Sequence, residues 1–206
     1  KILIFGTMNM AAFMFAQSAE TDTISPRSKT IDEVVITGNS NPKASIKTST
    51  SISTLKSADI INSAPRTTAE IFRTIPGIRA ESSGGEGNSN ITVRGVPVSA
   101  GGSRYLLIQE DGLPVMQFGD IAFGTQDQFT RFDSFVSRVE ALRGGSASVF
   151  ASNSPAGIIN FITKTGEKEG GSITQQVGLN YKNFRTDIDY GTPLGKDFYI
   201  GVGGFY

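Results

Sequence analysis

The sequence predicts an α+β chain, with short strands and short helices in a compact middle and longer antiparallel strands after it. Three observations point there. Gly is frequent, at 24 of 206 residues, and Ser, Thr and Asn are plentiful, as in a turn-rich, strand-rich chain. Thr67-Thr68-Ala69-Glu70 has the pattern of a capping box, and Pro76-Gly77 supplies a stop nine residues later in the same helical stretch. From Ile173 onward, apolar residues fall mostly on alternate positions.

Composition removes several function classes. Acidic and basic residues balance at 19 each, so no net field favours nucleic acid as a partner. The chain has no Cys and no His. It therefore has no disulfide framework, no thiolate nucleophile, no imidazole base and no imidazole metal ligand. No metal site and no cofactor is expected.

Each element follows from local chemistry. Ile52 to Leu55 reads as a strand. Ile71, Phe72 and Ile75 share one face of the helix opened at Thr67. Strands follow at Ile78 to Ala80, Ile91 to Arg94 and Tyr105 to Gln109. Asp111-Gly112 is a hairpin turn. Phe135 to Leu142 is a further strand, Ser146 caps a short helix through Phe150, and Ile158 to Thr163 is a strand again. Glu167 to Gly171 reads as a linker. Three alternating segments come next, in which Ile188 and Tyr190 oppose Asp187 and Asp189. Taken alone, these fit a transmembrane β-barrel wall or an ordinary antiparallel meander equally well. A long open edge at Tyr206 leads us to expect more chain.

The N-terminus reads as export machinery. Lys1 precedes a mostly apolar run, Ile2 to Phe15, and Ala16-Gln17-Ser18 supplies small residues before a cut at Ala19. Residues 1–18 are thus expected to be a signal peptide lacking its start, an N-terminal core helix being the alternative. A polar lead-in follows. Then Ile31 to Gly38 forms a β-branched island within a flexible segment, 19–48. A strand former with no local neighbour is either aggregation-prone or meant to pair with another protein.

Several of these stretches together resemble one family. Asp32-Glu33-Val34-Val35-Ile36-Thr37-Gly38 is similar to the TonB box of TonB-dependent outer-membrane receptors. Phe72-Arg73-Thr74-Ile75-Pro76-Gly77-Ile78 resembles the helix and turn of their plug domain. Thr92-Val93-Arg94-Gly95, Gln109 to Val115, Val139-Glu140-Ala141-Leu142-Arg143-Gly144 and Ala156 to Lys164 resemble further plug motifs, in the family's order. Gly145-Ser146-Ala147 and Phe150-Ala151-Ser152 depart from the family pattern, conservatively in shape.

The resemblance implies a plug at 49–166 with a small mixed sheet and short flanking helices. Residues 167–206 would be the first strands of a transmembrane β-barrel of about 22 strands. It implies uptake of a scarce nutrient, a ferric siderophore by default, with cobalamin, haem and carbohydrates open. It implies TonB as partner, bound through Asp32, Glu33, Val34, Val35, Ile36 and Thr37. Arg94, Glu140 and Arg143 would contact the barrel wall. The plug loops 84–90, 98–103 and 117–125 are candidates for substrate contact. No periplasmic signalling domain fits between the expected cut and the TonB box.

Two other classes compete. Ser53-Thr54-Leu55-Lys56 and Lys164-Thr165-Gly166 match fragments of the penicillin-binding and β-lactamase signature. The middle Ser-Asp-Asn is missing, however, and Ser53 sits in a strand-like alternation, so no enzyme is expected. The second is a secreted or surface binding domain, an adhesin without transport.

Overall fold

The computed structural model describes residues 34–35, 43–44, 51–85, 87–100, 105–116, 125–130, 132–144, 147, 151, 154–180 and 182–206. The expected signal peptide lies outside them.

A mixed five-stranded sheet is the frame. Its strands are β3 (Ser51–Lys56), β9 (Val136–Arg143), β10 (Gly157–Thr163), β7 (Leu106–Glu110) and β8 (Leu113–Pro114), in that spatial order. β10 runs parallel to β7 and antiparallel to β9, and β3 pairs antiparallel with β9 along one edge. A second sheet holds β4 (Ile78–Ser82), β5 (Ser89–Val93) and β6 (Ser99–Ala100). The hairpin turn is the expected one. Asp111 and Gly112 both have positive φ, 50° and 85°, between the paired Glu110 and Leu113, as a type I′ turn requires.

The strands of the large sheet alternate between two apolar layers, since successive side chains point to opposite faces. Val139, Ala141, Ile159, Phe161 and Ile108 join Ile71, Phe72, Ile78 and Ile91 in the main core. Leu142, Ile158 and Leu107 form a smaller core with Ala147. Phe72 and Phe161 meet edge to face, with ring centroids 6.2 Å apart.

Helix α1 (Ser57–Ser63) was not foreseen: seven residues are too few for a periodic signal, and it ends on Ala64 in the left-handed region rather than on a glycine. Helix α2 (Thr68–Arg73) starts as expected, the Glu70 N–H donating to Thr67 Oγ1 at 3.3 Å. The return half of the box goes one residue upstream, because the Glu70 carboxylate accepts from the Arg66 N–H at 2.7 Å and from its guanidinium. Helix α3 (Gln126–Phe129) also escaped notice, although Thr125-x-x-Gln128 is a capping-box pattern. Its Gln126 side chain stands in for a strand beside β7. It accepts from the Ile108 N–H and donates to the Leu106 carbonyl at 2.9 Å. Of the helix expected at 146–150, Ala147 is described and helical. The Ala151 N–H donates to its carbonyl at 3.1 Å, while Ser146 lies outside the described residues.

The last sheet is antiparallel: β11 (Gly170–Val177), β12 (Phe184–Pro193) and β13 (Tyr199–Phe205). β11 starts inside the stretch expected to be a linker. Its alternation has the sense of a barrel wall. Ile173, Ile188, Tyr190 and Val202 are exposed, Ile173 by 75%, while Asp187 and Asp189 are buried against the plug side. A water-soluble meander would turn its apolar face inward; a wall in lipid turns it outward. Three strands of an unclosed wall are present.

Phe72→Ala is expected to destabilise the plug by about 3–5 kcal/mol, as large-to-small changes at well-packed aromatic sites do, while Thr67→Ala costs about 1 kcal/mol. Urea denaturation of the full-length protein checks both. A smaller loss at Phe72 than at Thr67 would show that the core is placed wrongly.

Candidate functional site

Two turns and one strand end bring Arg94 and Arg143 together. Helix α2 ends at Arg73, and the chain then turns through Pro76-Gly77, where Gly77 takes φ 85°. The Arg94 N–H donates to the Gly77 carbonyl at 3.1 Å, which closes the turn after β5 beside it. Arg94 itself has φ 48°, a left-handed conformation that costs a non-glycine residue energy. Arg143 is the last residue of β9. A methyl group on Gly77 would lie 3.5 Å from Arg143 Nη1 and 3.7 Å from Arg94 Cγ, and one on Gly144 would lie 3.6 Å from Arg94 Nη1. Both arginine side chains therefore lie over Gly77, and the Arg94 guanidinium also reaches Gly144.

Their partners are neutral. Arg94 Nη2 donates to Ser51 Oγ at 2.9 Å, and Arg143 Nη2 to Ser53 Oγ at 2.6 Å. Arg143 Nη1 donates to the Pro76 carbonyl. Arg143 Nε is buried with no hydrogen-bond partner among the described residues. Burial, with the Arg94 charge beside it, draws the Arg143 guanidinium below its usual pKa. Among the described residues, neither arginine forms an ion pair with a carboxylate. A cationic pair held this way is a ready site for acidic groups, since guanidinium forks match carboxylates.

Glu140 is not in this cluster. It stands three residues before Arg143, so it points from the opposite face of β9. There it is fully buried (0% exposed) and bound to Arg138 Nε at 2.9 Å.

Sequence reading missed a second constellation, between the plug and β12. Lys164 Nζ contacts Asp189 Oδ2 at 2.7 Å, and the Ser172 hydroxyl donates to the same carboxylate. Arg185 binds Asp187 at 2.9 Å, donates to the Phe132 carbonyl and stacks 3.9 Å from the Phe205 ring centroid. Phe135 sits where side chains on Gly201 and Gly203 would be, 2.5 and 2.2 Å from the positions their Cβ atoms would take. A cavity of about 300 Å³, lined in part by Pro65, Phe132, Gln176 and Arg185, opens beside this seam. The only signal in the sequence was charge on the alternate positions of β12.

Asp133 lies at the same seam. Burial pushes its carboxyl above the usual range; the Phe135 N–H, 2.8 Å away, opposes the rise, and the Asp187 charge adds to it.

At the other end of the chain, β1 (Val34–Val35) pairs antiparallel with β2 (Lys43–Ala44), Val34 opposite Ala44 and Val35 opposite Lys43. This corrects the expectation that the strand has no local neighbour: its backbone groups find partners within the chain. A two-stranded ribbon still leaves the outer edge of β1 unpaired by β2. Asp32, Glu33, Ile36 and Thr37 lie outside the described residues, as do parts of the loops 84–90, 98–103 and 117–125.

With this geometry in place, the likenesses to known proteins are specific. The family model described as TonB-dependent Receptor Plug Domain matches residues 44–158. The vitamin B12 transporter BtuB of Vibrio cholerae is 28% identical over 175 residues, covering 83% of this chain and 27% of the transporter. The chain thus spans about a quarter of the length of the curated relatives it matches. The ferric yersiniabactin uptake receptor FyuA from Yersinia pestis has the same fold, with TM-score 0.59 at 21% identity over 76% of this chain and 24% of that one. The siderophore receptor PirA from Acinetobacter baumannii gives TM-score 0.55 at 25% identity, over 75% of this chain and 24% of its own.

Asp133→Asn is expected to stabilise the protein at neutral pH. The folded carboxyl titrates above the ordinary value of about 3.9, so its favourable contribution is complete below that value and is lost as pH rises through the folded pKa. The gain in denaturation midpoint should shrink as pH falls toward 4. A loss of stability at neutral pH would contradict this placement of Asp133.

Proposed function

Because the chain belongs to the TonB-dependent receptors of the outer membrane through its plug domain, we propose that it is the leading part of an active importer whose plug gates a barrel lumen. Residues 1–18 are its signal peptide, 19–48 its coupling segment, 49–166 its plug and 167–206 the beginning of its wall. The observation that carries the reading is the arginine pair: two guanidiniums over one turn, held by serine hydroxyls, with no carboxylate partner among the described residues. Arg94 and Arg143 hold the plug by pairing with acidic side chains of the barrel wall that lie beyond Tyr206. Glu140 has an internal role, holding Arg138 within the plug.

Energy enters through Asp32, Glu33, Val34, Val35, Ile36 and Thr37, which add as a strand to a sheet of TonB. Backbone hydrogen bonds supply the affinity in this mode. The outer edge of β1, unpaired among the described residues, suits it.

The cargo is a ferric siderophore, a reading supported by the likeness to the ferric yersiniabactin uptake receptor FyuA and the siderophore receptor PirA. Cobalamin is the second reading, favoured by the likeness to the vitamin B12 transporter. Iron, in the first case, arrives inside a chelate and needs no ligand from the protein.

Growth and uptake of a deletion strain on a panel of ferric siderophores, cobalamin, haem and sugars separates these cargoes; no uptake defect on any of them would leave transport without support. Val34→Pro and Val35→Pro each remove a backbone donor and should abolish uptake while leaving receptor levels unchanged; full uptake in both would reject the coupling segment. Arg94→Gln with Arg143→Gln should raise passive entry of a large antibiotic such as vancomycin, and an unchanged rate would reject the lock.

A further inference from the structure

We infer that Ser51 and Ser53 are positioning residues that strap the arginine pair to β3, so that traction on the preceding segment releases the arginines from their partners. This rests on the arginine lock proposed above and names the part of the plug that opens it.

Three observations converge. First, among the described residues β3 is an edge strand whose only strand neighbour in its sheet is β9, and edge elements open more readily than central ones. Second, the antiparallel register sets Ser51 opposite Arg143 and Ser53 opposite Ala141. Alternation then places both hydroxyls on the face that carries Arg143, with Ile52 on the other face, where it packs against the smaller core. Leu55, further along that first face, packs against the main core. Apolar residues would suit positions 51 and 53 equally well if packing alone chose them. Serines serve there because each hydroxyl accepts from one arginine: Ser51 from Arg94 and Ser53 from Arg143. Third, Ser51 is the first residue of the large sheet after the segment 31–38. A load carried along the chain from that segment reaches Ser51 first and Ser53 two residues later. Withdrawal of β3 removes one hydrogen bond from each guanidinium in turn. Arg143 then keeps the Pro76 carbonyl, and Arg94 keeps no side-chain hydrogen bond among the described residues.

The test compares two nearly isosteric pairs in the full-length receptor, in cells that lack energy coupling. Ser51→Thr with Ser53→Thr keeps both hydroxyls. Ser51→Val with Ser53→Val removes them and adds the same bulk. Vancomycin entry is the readout, with receptor levels in the outer membrane matched. The valine pair should leak by the same factor as the pair Arg94→Gln and Arg143→Gln, while the threonine pair stays at the parental rate. Equal leakage in the valine and threonine pairs, with the glutamine pair leaking, would overturn the strap and leave the lock standing. A glutamine pair that does not leak would overturn the lock and the strap together.

Discussion

Strand β9 is buried on both faces, and that constraint organises the plug. Val139 and Ala141 enter the main core while Leu142 enters the smaller one, each with no exposure. A strand buried on both sides must carry apolar residues almost continuously. Each polar residue on it then needs its own compensation. Glu140 has Arg138. Arg143 comes at the strand's last position, where the chain leaves the sheet at Gly144 and the side chain can reach the Pro76-Gly77 turn. The neighbours of β9 inherit their register from it: β3 and β10 align opposite the same residues from either side.

The arginine cluster is assembled from parts far apart in the chain. Arg94 and Ser51 are 43 residues apart, and Arg143 and Ser53 are 90 apart. Its conformational cost is visible in Arg94, at φ 48°. Residues held in sparsely populated backbone regions concentrate where structure serves function rather than stability. The Arg94 charge acting on the partly desolvated Arg143 guanidinium adds to that cost. A domain optimised for its own stability would not keep this arrangement; a domain whose partners lie on another surface would.

The seam between plug and wall uses different physics. Phe135 fits a surface cleared of side chains at Gly201 and Gly203, and the charged groups around it are paired across short distances. Steric fit and compensated charge make this a standing attachment. The edge strand β3, paired among the described residues with β9 alone, is the contrasting element. The plug therefore has one margin fixed by steric fit and paired charge, while its other margin is an edge strand.

Much of the fold was legible from residue order. Hairpin chemistry at Asp111-Gly112, the Thr67 cap, the Pro76-Gly77 stop and the period-two runs after Ile173 all act over a few residues, so local pattern suffices to read them. Helix α1 was too short to show a period, and Ala64 hid its end. The sequence also named Arg94 and Arg143 through their motifs, and it named Glu140 with them. Only the tertiary structure separated Glu140, because the face a strand residue takes depends on where the strand is buried. Pairing of Val34–Val35 with Lys43–Ala44, the serine partners of the arginines and the outward sense of the apolar stripe on β11 to β13 were likewise decided in three dimensions. Alternation reveals that a strand has two faces; which of them meets protein is settled only by what the folded chain sets against it.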